Sequence, residues 1–196
     1  MRLLITNDDG IASEGIHVLA RAMAAAGHEV TVAAPDRDYS GVGASLGGLS
    51  ADDSIDVAEV TIPNGEGIRA WSVAGAPALC VLAGRLGAFG EPPELVVSGI
   101  NAGLNTGRSI LHSGTVGAAL TAQNFGVSGL AVSLADGERW HWDTAARCAV
   151  DALRLLIDAP PRSVLNLNVP SATYEDVVGT RWTRLAAFGA VRAATA

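Results

Sequence analysis

The sequence predicts an α/β fold with a mostly parallel sheet and helices on both of its faces. The chain has 196 residues, which is the length of one domain. Short apolar runs, typical of buried strands, alternate along it with segments of helical periodicity. This alternation favours parallel strands joined by helices. With 49% hydrophobic and 17% charged residues, the chain is apolar enough for a sizeable core, which excludes a disordered protein.

The first elements form a βαβ unit. An apolar run over residues 3–6 predicts a buried strand, which ends at the turn Asn7-Asp8-Asp9-Gly10. Apolar residues then repeat at helical spacing and predict a helix over 14–26, which ends at Gly27. A second strand is predicted over 29–34, where Pro35 closes it.

The same pattern continues to the end of the chain. It predicts strands over 68–73, 95–98, 129–134 and 164–169, and helices over 77–86, 115–125 and 143–157. One more strand is predicted near 180–185. Residues 39–53 are rich in Gly and Ser and have no period, which predicts either a functional loop or a locally disordered segment.

Charge and hydropathy limit the possible partners. The net charge is −7, and because the chain has no lysine, all 13 basic residues are arginine. A dedicated DNA or RNA binder needs a basic face, so nucleic-acid binding is not expected. No run of about 18 apolar residues is present, and the apolar start is too short for a signal peptide. We therefore expect a cytoplasmic protein that does not bind membranes.

The adjacent carboxylates of Asp8 and Asp9 are the sharpest chemical feature. In open parallel sheets, ligands bind beyond the carboxyl ends of the strands, and both aspartates follow the first strand. Two neighbouring carboxylates repel each other unless a cation is present, and Mg²⁺ or Mn²⁺ prefers such oxygen ligands. Ser40 and Asn101, which follow other strands, could add neutral oxygens. The alternative is that one aspartate caps the next helix or shapes the turn.

Ser113-Gly114-Thr115 opens a predicted helix, where free N–H groups suit a phosphate, although the tripeptide by itself favours an ordinary helix cap. The glycine-rich loop over 99–107 permits backbone approach to an anion but is not a P-loop. Trp140 and Trp142 are expected to pack at the start of a helix rather than to stack on a base.

Four blocks, taken together and in order, carry a resemblance to a known family. They are Asn7-Asp8-Asp9-Gly10, Ala34-Pro35-Asp36-Arg37 with Ser40-Gly41, Val97-Ser98-Gly99-Ile100-Asn101-Ala102-Gly103 with Asn105 and Gly107, and Ser113-Gly114-Thr115. Leu165-Asn166-Leu167-Asn168-Val169-Pro170 adds a fifth. The chain resembles SurE, the stationary-phase survival family of 5′/3′-nucleotidases.

The resemblance implies a Rossmann-like three-layer sandwich over residues 1–170, followed by a short C-terminal extension over 171–196, truncated relative to the family. It implies one divalent metal ion, Mg²⁺ or Mn²⁺, bound by Asp8, Asp9, Ser40 and Asn101, with Asp8, Asp9 and Asn101 catalytic. The residues that it places around the substrate phosphate are Asn7, Gly41, Asn105, Ser113, Gly114 and Thr115. It also implies a homodimer.

The function expected from these features is metal-dependent hydrolysis of nucleoside 5′- and 3′-monophosphates to nucleoside and phosphate. Two alternatives remain at this point. One is a catalytically impaired nucleotide-binding, metal-binding or assembly protein. The other is a metal-dependent phosphatase for a different substrate, such as short polyphosphate.

Overall fold

Seven strands form a single sheet in a computed structural model that describes residues 1–48 and 54–186. In chain order they are Arg2–Thr6 (β1), Glu29–Pro35 (β2), Val57–Val60 (β3), Arg69–Val73 (β4), Leu95–Ala102 (β5), Ser128–Leu134 (β6) and Val164–Val169 (β7). Their order across the sheet is β3-β4-β2-β1-β5-β6-β7. Every neighbouring pair is parallel except β3 and β4, which are antiparallel, so the predicted mostly parallel sheet is confirmed.

Helices cover both faces of the sheet. They are Glu14–Ala25 (α1), Pro77–Arg85 (α2), Gly114–Asn124 (α3) and Trp142–Ile157 (α4). Leu3 and Ile5 of β1 pack in the core that α1 and α4 cover, whereas Leu4 packs with residues of α2 and α3. This division follows from the alternation of side chains along a strand, and it gives the three layers that were predicted. None of the helices in the described ranges is both long and apolar enough to cross a lipid bilayer.

The strand order reverses beside β1. From β1 the chain builds outward to β2 and β4 on one side, and it then returns to place β5 on the other side. Thr6 at the end of β1 therefore lies in register with Ser98 of β5. The crevice beyond such a reversal is the usual ligand site of an open α/β sheet, so the turns that follow β1 and β5 meet where a ligand is expected.

Two elements differ from the sequence prediction. The prediction missed β3, because it is a four-residue edge strand with mostly exposed side chains and no apolar alternation. The strand predicted over 180–185 is wrong: this segment has no regular secondary structure, and its large side chains, Trp182 and Leu185, are 75% and 62% exposed. No strand within the described ranges pairs with it.

Other boundaries shift for visible reasons. β5 continues past Ser98 to Ala102, because its pairing with β6 resumes after a register shift and joins Asn101 to Ser133. Of the segment predicted as a functional or disordered loop, residues 39–48 form an irregular loop and residues 49–53 lie outside the described residues. In the predicted C-terminal extension, residues 174–176 form a 3₁₀ helix, and residues 187–196 lie outside the described residues.

Candidate active site

Asn7 organises the turn that follows β1. Its side chain is buried, donates to the carbonyl oxygen of Gly10 (3.0 Å) and to the hydroxyl of Ser13 (2.7 Å), and accepts the N–H of Gly10 (3.2 Å). Gly10 has a φ of +95°, in the left-handed region that favours glycine. These bonds fix the backbone of the two aspartates between them. Because α1 begins after Ser13, neither aspartate caps that helix.

The loop after β2 lies directly against this turn. The N–H of Ile11 donates to the carbonyl oxygen of Pro35 (2.8 Å), and the N–H of Tyr39 donates to that of Asp8 (2.8 Å). A Cβ atom on Gly10 would lie 3.0 Å from the backbone of Arg37. The two backbone segments are therefore held together, which positions Ser40, the next residue after Tyr39, beside the aspartate turn.

Asp8 lies against the first turn of α3. The hydroxyl of Thr115 donates to its Oδ1 at 2.6 Å, and a Cβ atom on Gly114 would lie 2.8 Å from its Oδ2. Asp8 is only 3% exposed. Burial raises the pKa of this carboxyl, and the hydrogen bond from Thr115 lowers it by less. The sequence predicted the carboxylate of Asp8 and the start of α3 as two separate features, and the structure shows that they are in direct contact.

Asp9 is less buried and has a neighbouring charge. Burial, and secondarily the Asp8 carboxylate, raise its pKa to about 6. A hydrogen bond from the backbone of Ala102 acts in the opposite direction, and the Asp38 carboxylate raises the pKa further. The backbone of Ala102 is thus close enough to affect this carboxyl, which places the aspartate turn near the end of β5. A cation between these carboxylates would remove the repulsion that disfavours their ionised forms.

Ser40 is held by a carboxylate that the sequence analysis missed. Its hydroxyl donates to Oδ1 of Asp38 at 2.6 Å, and its N–H donates to the same oxygen at 2.7 Å. These bonds lower the pKa of Asp38. Because the hydroxyl hydrogen is used, the lone pairs of Ser40 are free to face a cation. The adjacent Gly41 has a φ of +91° and open space around it. An Asp two residues before a Ser is typical of a turn in which the carboxylate accepts from the Ser, so the sequence did contain a signal for this contact.

Asn101 is oriented by its own loop. Its Nδ2 donates to the carbonyl oxygen of Gly103 at 2.7 Å, and the N–H of Gly103 donates to the carbonyl oxygen of Leu134 in β6 at 2.8 Å. With Nδ2 committed, Oδ1 is the atom of this amide that is left to bind a cation. The register shift between Ser98 and Asn101 in β5 sets where this side chain leaves the sheet.

Asn105 is tied to the ends of β6 and β7. Its N–H donates to Oδ1 of Asn168 (2.8 Å), and its carbonyl oxygen accepts Nδ2 of both Asn166 (2.9 Å) and Asn168 (3.0 Å). Its own Nδ2 donates to the hydroxyl of Ser133 at 2.9 Å. The sequence analysis noted the strand with these asparagines only as a family motif and missed that it holds this loop.

The start of α3 is capped and covered. Oγ of Ser113 accepts the N–H of Val116 at 3.1 Å, so the cap interpretation of this serine is confirmed, and its hydroxyl hydrogen is still free to donate. The N–H of Gly43 donates to the carbonyl oxygen of His112 (3.1 Å), and a Cβ atom on Gly117 would collide with the backbone of Gly43. The loop after β2 therefore rests on the helix that begins at the site.

The donor set fits a hard divalent cation. It consists of two carboxylates, Asp8 and Asp9, whose ionised forms are disfavoured in isolation, and of neutral oxygens on Ser40 and Asn101. In the described ranges, no group of three or more His, Cys, Asp and Glu residues could hold a metal. This excludes a zinc-type cluster there, while Mg²⁺ commonly uses only one or two carboxylates and completes its shell with other oxygens.

The structure brings most of the predicted residues to one crevice. Direct bonds link Asp8 to Thr115 and Asp8 to Tyr39, which precedes Ser40, while Asn101 lies in β5, the strand that pairs with β1. The side chain of Asn7 makes its hydrogen bonds to residues of its own turn and to Ser13. Asn105 makes its hydrogen bonds to residues of β6 and β7. The contacts of these residues with metal or phosphate stay predictions.

Comparison with known proteins places this arrangement in a family. A family model described as "Survival protein SurE" matches residues 3–190. "5'-nucleotidase SurE" of Xanthomonas euvesicatoria pv. vesicatoria (strain 85-10) is 42% identical over 189 residues, which are 94% of this chain and 70% of that protein. The protein of the same name from Xanthomonas oryzae pv. oryzae (strain PXO99A) is 41% identical over the same coverage.

A solved structure agrees with these sequence relatives. The SurE protein from Aquifex aeolicus superposes with a TM-score of 0.79 at 34% identity, over 94% of this chain and 72% of that one. The resemblance found in the sequence motifs thus extends over almost the whole chain and over its fold. The chain belongs to the SurE survival-protein family.

Proposed function

We propose that this chain is a 5′-nucleotidase that hydrolyses nucleoside monophosphates with the help of a divalent metal ion. One observation carries the proposal. The buried carboxylate of Asp8 meets the start of α3 through its 2.6 Å bond to Thr115, so the proposed cation site would lie next to a helix N-terminus. A phosphate monoester needs both, because its charge must be neutralised and its oxygens must be held. The nucleotidase names of the relatives support the same assignment.

Asp8, Asp9, Ser40 and Asn101 would hold one cation, Mg²⁺ or Mn²⁺. When bound, such an ion neutralises phosphate charge and lowers the pKa of a water molecule. Asp8 supplies a carboxylate that Thr115 keeps in one orientation, and Asn101 supplies an amide oxygen that Gly103 keeps in one orientation. Oriented ligands lose little freedom on binding, which favours a defined position for the reacting phosphate.

The phosphate oxygens would be held mainly by the start of α3. The N–H groups of Gly114 and Thr115 belong to the first turn of the helix, where the dipole favours an anion. The hydroxyl hydrogen of Ser113 is free to donate, because its oxygen is the acceptor in the cap. We also propose that Gly41 and Asn105 lie near the phosphate, and that Asn7 acts there chiefly by fixing the aspartate turn.

The overall reaction is a hydrolysis. Water adds to phosphorus, the bond from phosphorus to the nucleoside oxygen breaks, and that oxygen leaves with a proton. The proposal includes both 5′- and 3′-monophosphates as substrates. It also includes a homodimer, a cytoplasmic location and a boundary at residue 170 between the catalytic domain and a C-terminal extension, all of which stay predictions.

The test is phosphate release from AMP with Mn²⁺ or Mg²⁺ and then with excess chelator. Asp9→Asn removes one carboxylate of the site, and Asp158→Asn, at the exposed end of α4, is the matched control. We expect metal-dependent release that Asp9→Asn loses and Asp158→Asn keeps. Release from short polyphosphate but from no nucleotide would favour the other phosphatase. Nucleotide binding without release by the folded, metal-loaded protein would favour the binding protein.

A further inference from the structure

Two tryptophans after β6 form a stacked pair. The rings of Trp140 and Trp142 have centroids 5.0 Å apart and an interplanar angle of 14°. Trp140 is 41% exposed, whereas Trp142 is half-buried and packs against the core. The outer tryptophan therefore presents a flat aromatic surface to solvent with a second ring behind it.

The inner ring anchors the pair next to the candidate active site. A Cβ atom on Gly15, in the first turn of α1, would lie 3.1 Å from Cζ3 of Trp142 and would collide with the carbonyl oxygen of Ile100. Trp142 thus packs at the start of a helix, as the sequence predicted for both tryptophans. Trp140 instead stacks on Trp142 and stays 41% exposed, so the expectation that it does not stack on a base is the one that the proposal below revises. Ile100 directly precedes Asn101, one of the four proposed metal ligands. The pair therefore stands at the same edge of the sheet as the phosphate site.

The loop that carries Trp140 is fixed to its surroundings. The hydroxyl of Ser171 donates to the carbonyl oxygen of Arg139 at 2.9 Å, and Nε of Arg139 donates to Nε2 of His141 at 3.1 Å. Gly137 lies so close to Ser171 that a Cβ atom there would collide with it. Glu138, Arg139, His141 and Ser171 line an open surface cleft of about 420 Å³ that flanks Trp140 in sequence.

We propose that the exposed face of Trp140 and this cleft bind the base of the substrate, with the ring of the base stacked on the indole. The inference rests on the proposed function, which requires a base to be accommodated near the phosphate site. Stacking on an aromatic ring accepts every base, because each base has a π-face. Glu138 offers a carboxylate acceptor and Arg139 offers guanidinium donors to the edge of the base. Since a larger ring system covers more of the indole, purine nucleotides are preferred over pyrimidine nucleotides.

The kinetic test compares substrates with and without a base. We measure kcat and KM for AMP, CMP and ribose 5-phosphate in the wild type, Trp140→Leu, Trp140→Phe and Trp182→Leu. Trp182 is a matched control, because it is 75% exposed and lies in the C-terminal segment. We expect Trp140→Leu to raise the KM for AMP about tenfold, to lower its kcat/KM relative to ribose 5-phosphate by a similar factor, and to weaken the preference for AMP over CMP. Trp140→Phe, which keeps an aromatic ring, should stay close to the wild type in each of these quantities, and Trp182→Leu should change neither ratio.

A binding test keeps this inference separate from the proposed function. Adenosine, which has no phosphate, should quench the tryptophan fluorescence of the wild type and of Trp182→Leu, but much less that of Trp140→Leu. If no variant hydrolyses any monoester while this pattern holds, the nucleotidase proposal fails and the base site stands. Equal quenching in all variants, or an unchanged ratio of AMP to ribose 5-phosphate, overturns the base site. So does a change of oligomeric state in Trp140→Leu, measured by sedimentation, which would instead assign the ring to contact between copies of the chain.

Discussion

Asn168 holds the backbone of Asn105 on both sides, since its Oδ1 accepts the N–H at 2.8 Å and its Nδ2 donates to the carbonyl oxygen at 3.0 Å. The two residues are 63 positions apart. One side chain at the end of β7 thereby fixes a loop that follows β5. A loop residue that is held in this way has few alternative positions. Asn105, which we propose lies near the phosphate, therefore loses little conformational freedom when substrate binds.

We expect Asn168→Leu to cost about 1–3 kcal/mol of stability, because the N–H of Asn105 loses its partner. The KM for AMP should rise while the effect on kcat stays small, which a purely structural role would not produce. Asn168→Asp keeps an acceptor for that N–H and should recover part of the loss. Asn166→Leu, which removes a single donor, is the control. Equal effects of the two Leu variants would contradict this role of Asn168.

Thr115→Val tests the bond that orients Asp8. The variant keeps the shape of the buried side chain and removes the hydroxyl that donates at 2.6 Å. Without this bond, the charged form of Asp8 is less stable, so Mn²⁺ affinity measured by calorimetric titration should fall about tenfold, in line with about 1.5 kcal/mol for a hydrogen bond to a charged group.

Thr121→Val is the matched control for this change. Thr121 lies in the same helix, and its hydroxyl donates to the carbonyl oxygen of Gly117 at 2.7 Å, away from the carboxylates. Mn²⁺ affinity should be unchanged in this variant. Equal losses of affinity in both variants would show that general damage to α3, and not the bond to Asp8, is responsible.

Gly114→Ala tests the close approach between α3 and the aspartate turn. The added Cβ atom would lie 2.6 Å from Cβ of Asp8, and neither backbone can retreat far because both are hydrogen-bonded. We expect a stability loss of about 1–3 kcal/mol, measured by urea unfolding, together with loss of phosphate release. Gly48→Ala, at an open position, should leave both unchanged. A stable and active Gly114→Ala would contradict the packing.

The pKa of Asp9, raised from 3.8 to about 6, predicts how the metal-free protein responds to pH. Between these values the folded state keeps a proton that the unfolded state has released. Raising the pH through this window therefore lowers the free energy of unfolding, and the loss is complete above the folded pKa. Asp9→Asn removes this titration. In chelator, we expect the variant to have the higher Tm at about pH 7.5 and the difference to shrink at about pH 4.

Saturating Mn²⁺ should reverse the order at the higher pH, because an ion that binds only the folded state stabilises the protein that binds it better. Asp158→Asn is exposed and should follow the wild type under all of these conditions. A metal-free wild type whose Tm rises from pH 4 to pH 7.5 more than that of Asp9→Asn would contradict the prediction.

The sequence predicted those parts of the site that depend on local pattern. Asp8 and Asp9 follow a short buried strand, and Ser113 precedes a helix, so their placement at one sheet edge follows from the topology. The bond between Thr115 and Asp8 was not predictable, because it depends on the angle at which α3 packs on the sheet. Of the local alternative, the part in which an aspartate caps α1 is wrong, since Ser13 and not an aspartate precedes that helix.

Loop contacts explain the other omissions. Asp38 orients Ser40 across two residues, and Asn168 orients Asn105 across 63, but polar residues in loops give no periodic signal that would pair them. The edge strand β3 has mostly exposed side chains and so lacks the apolar alternation by which strands are recognised. The segment 180–185 has a strand-like composition, yet it finds no pairing partner within the described ranges.

The separation of 107 positions between Thr115 and Asp8 also has a consequence for folding. Contacts this distant in sequence form late, because the chain must close a long loop to make them, so the proposed cation site is expected to need a largely folded chain. An ion that binds there recognises the completed protein and shifts the folding equilibrium by mass action. If the turn after β1 binds the ion as proposed, the availability of that ion sets the fraction of chains that are fully folded.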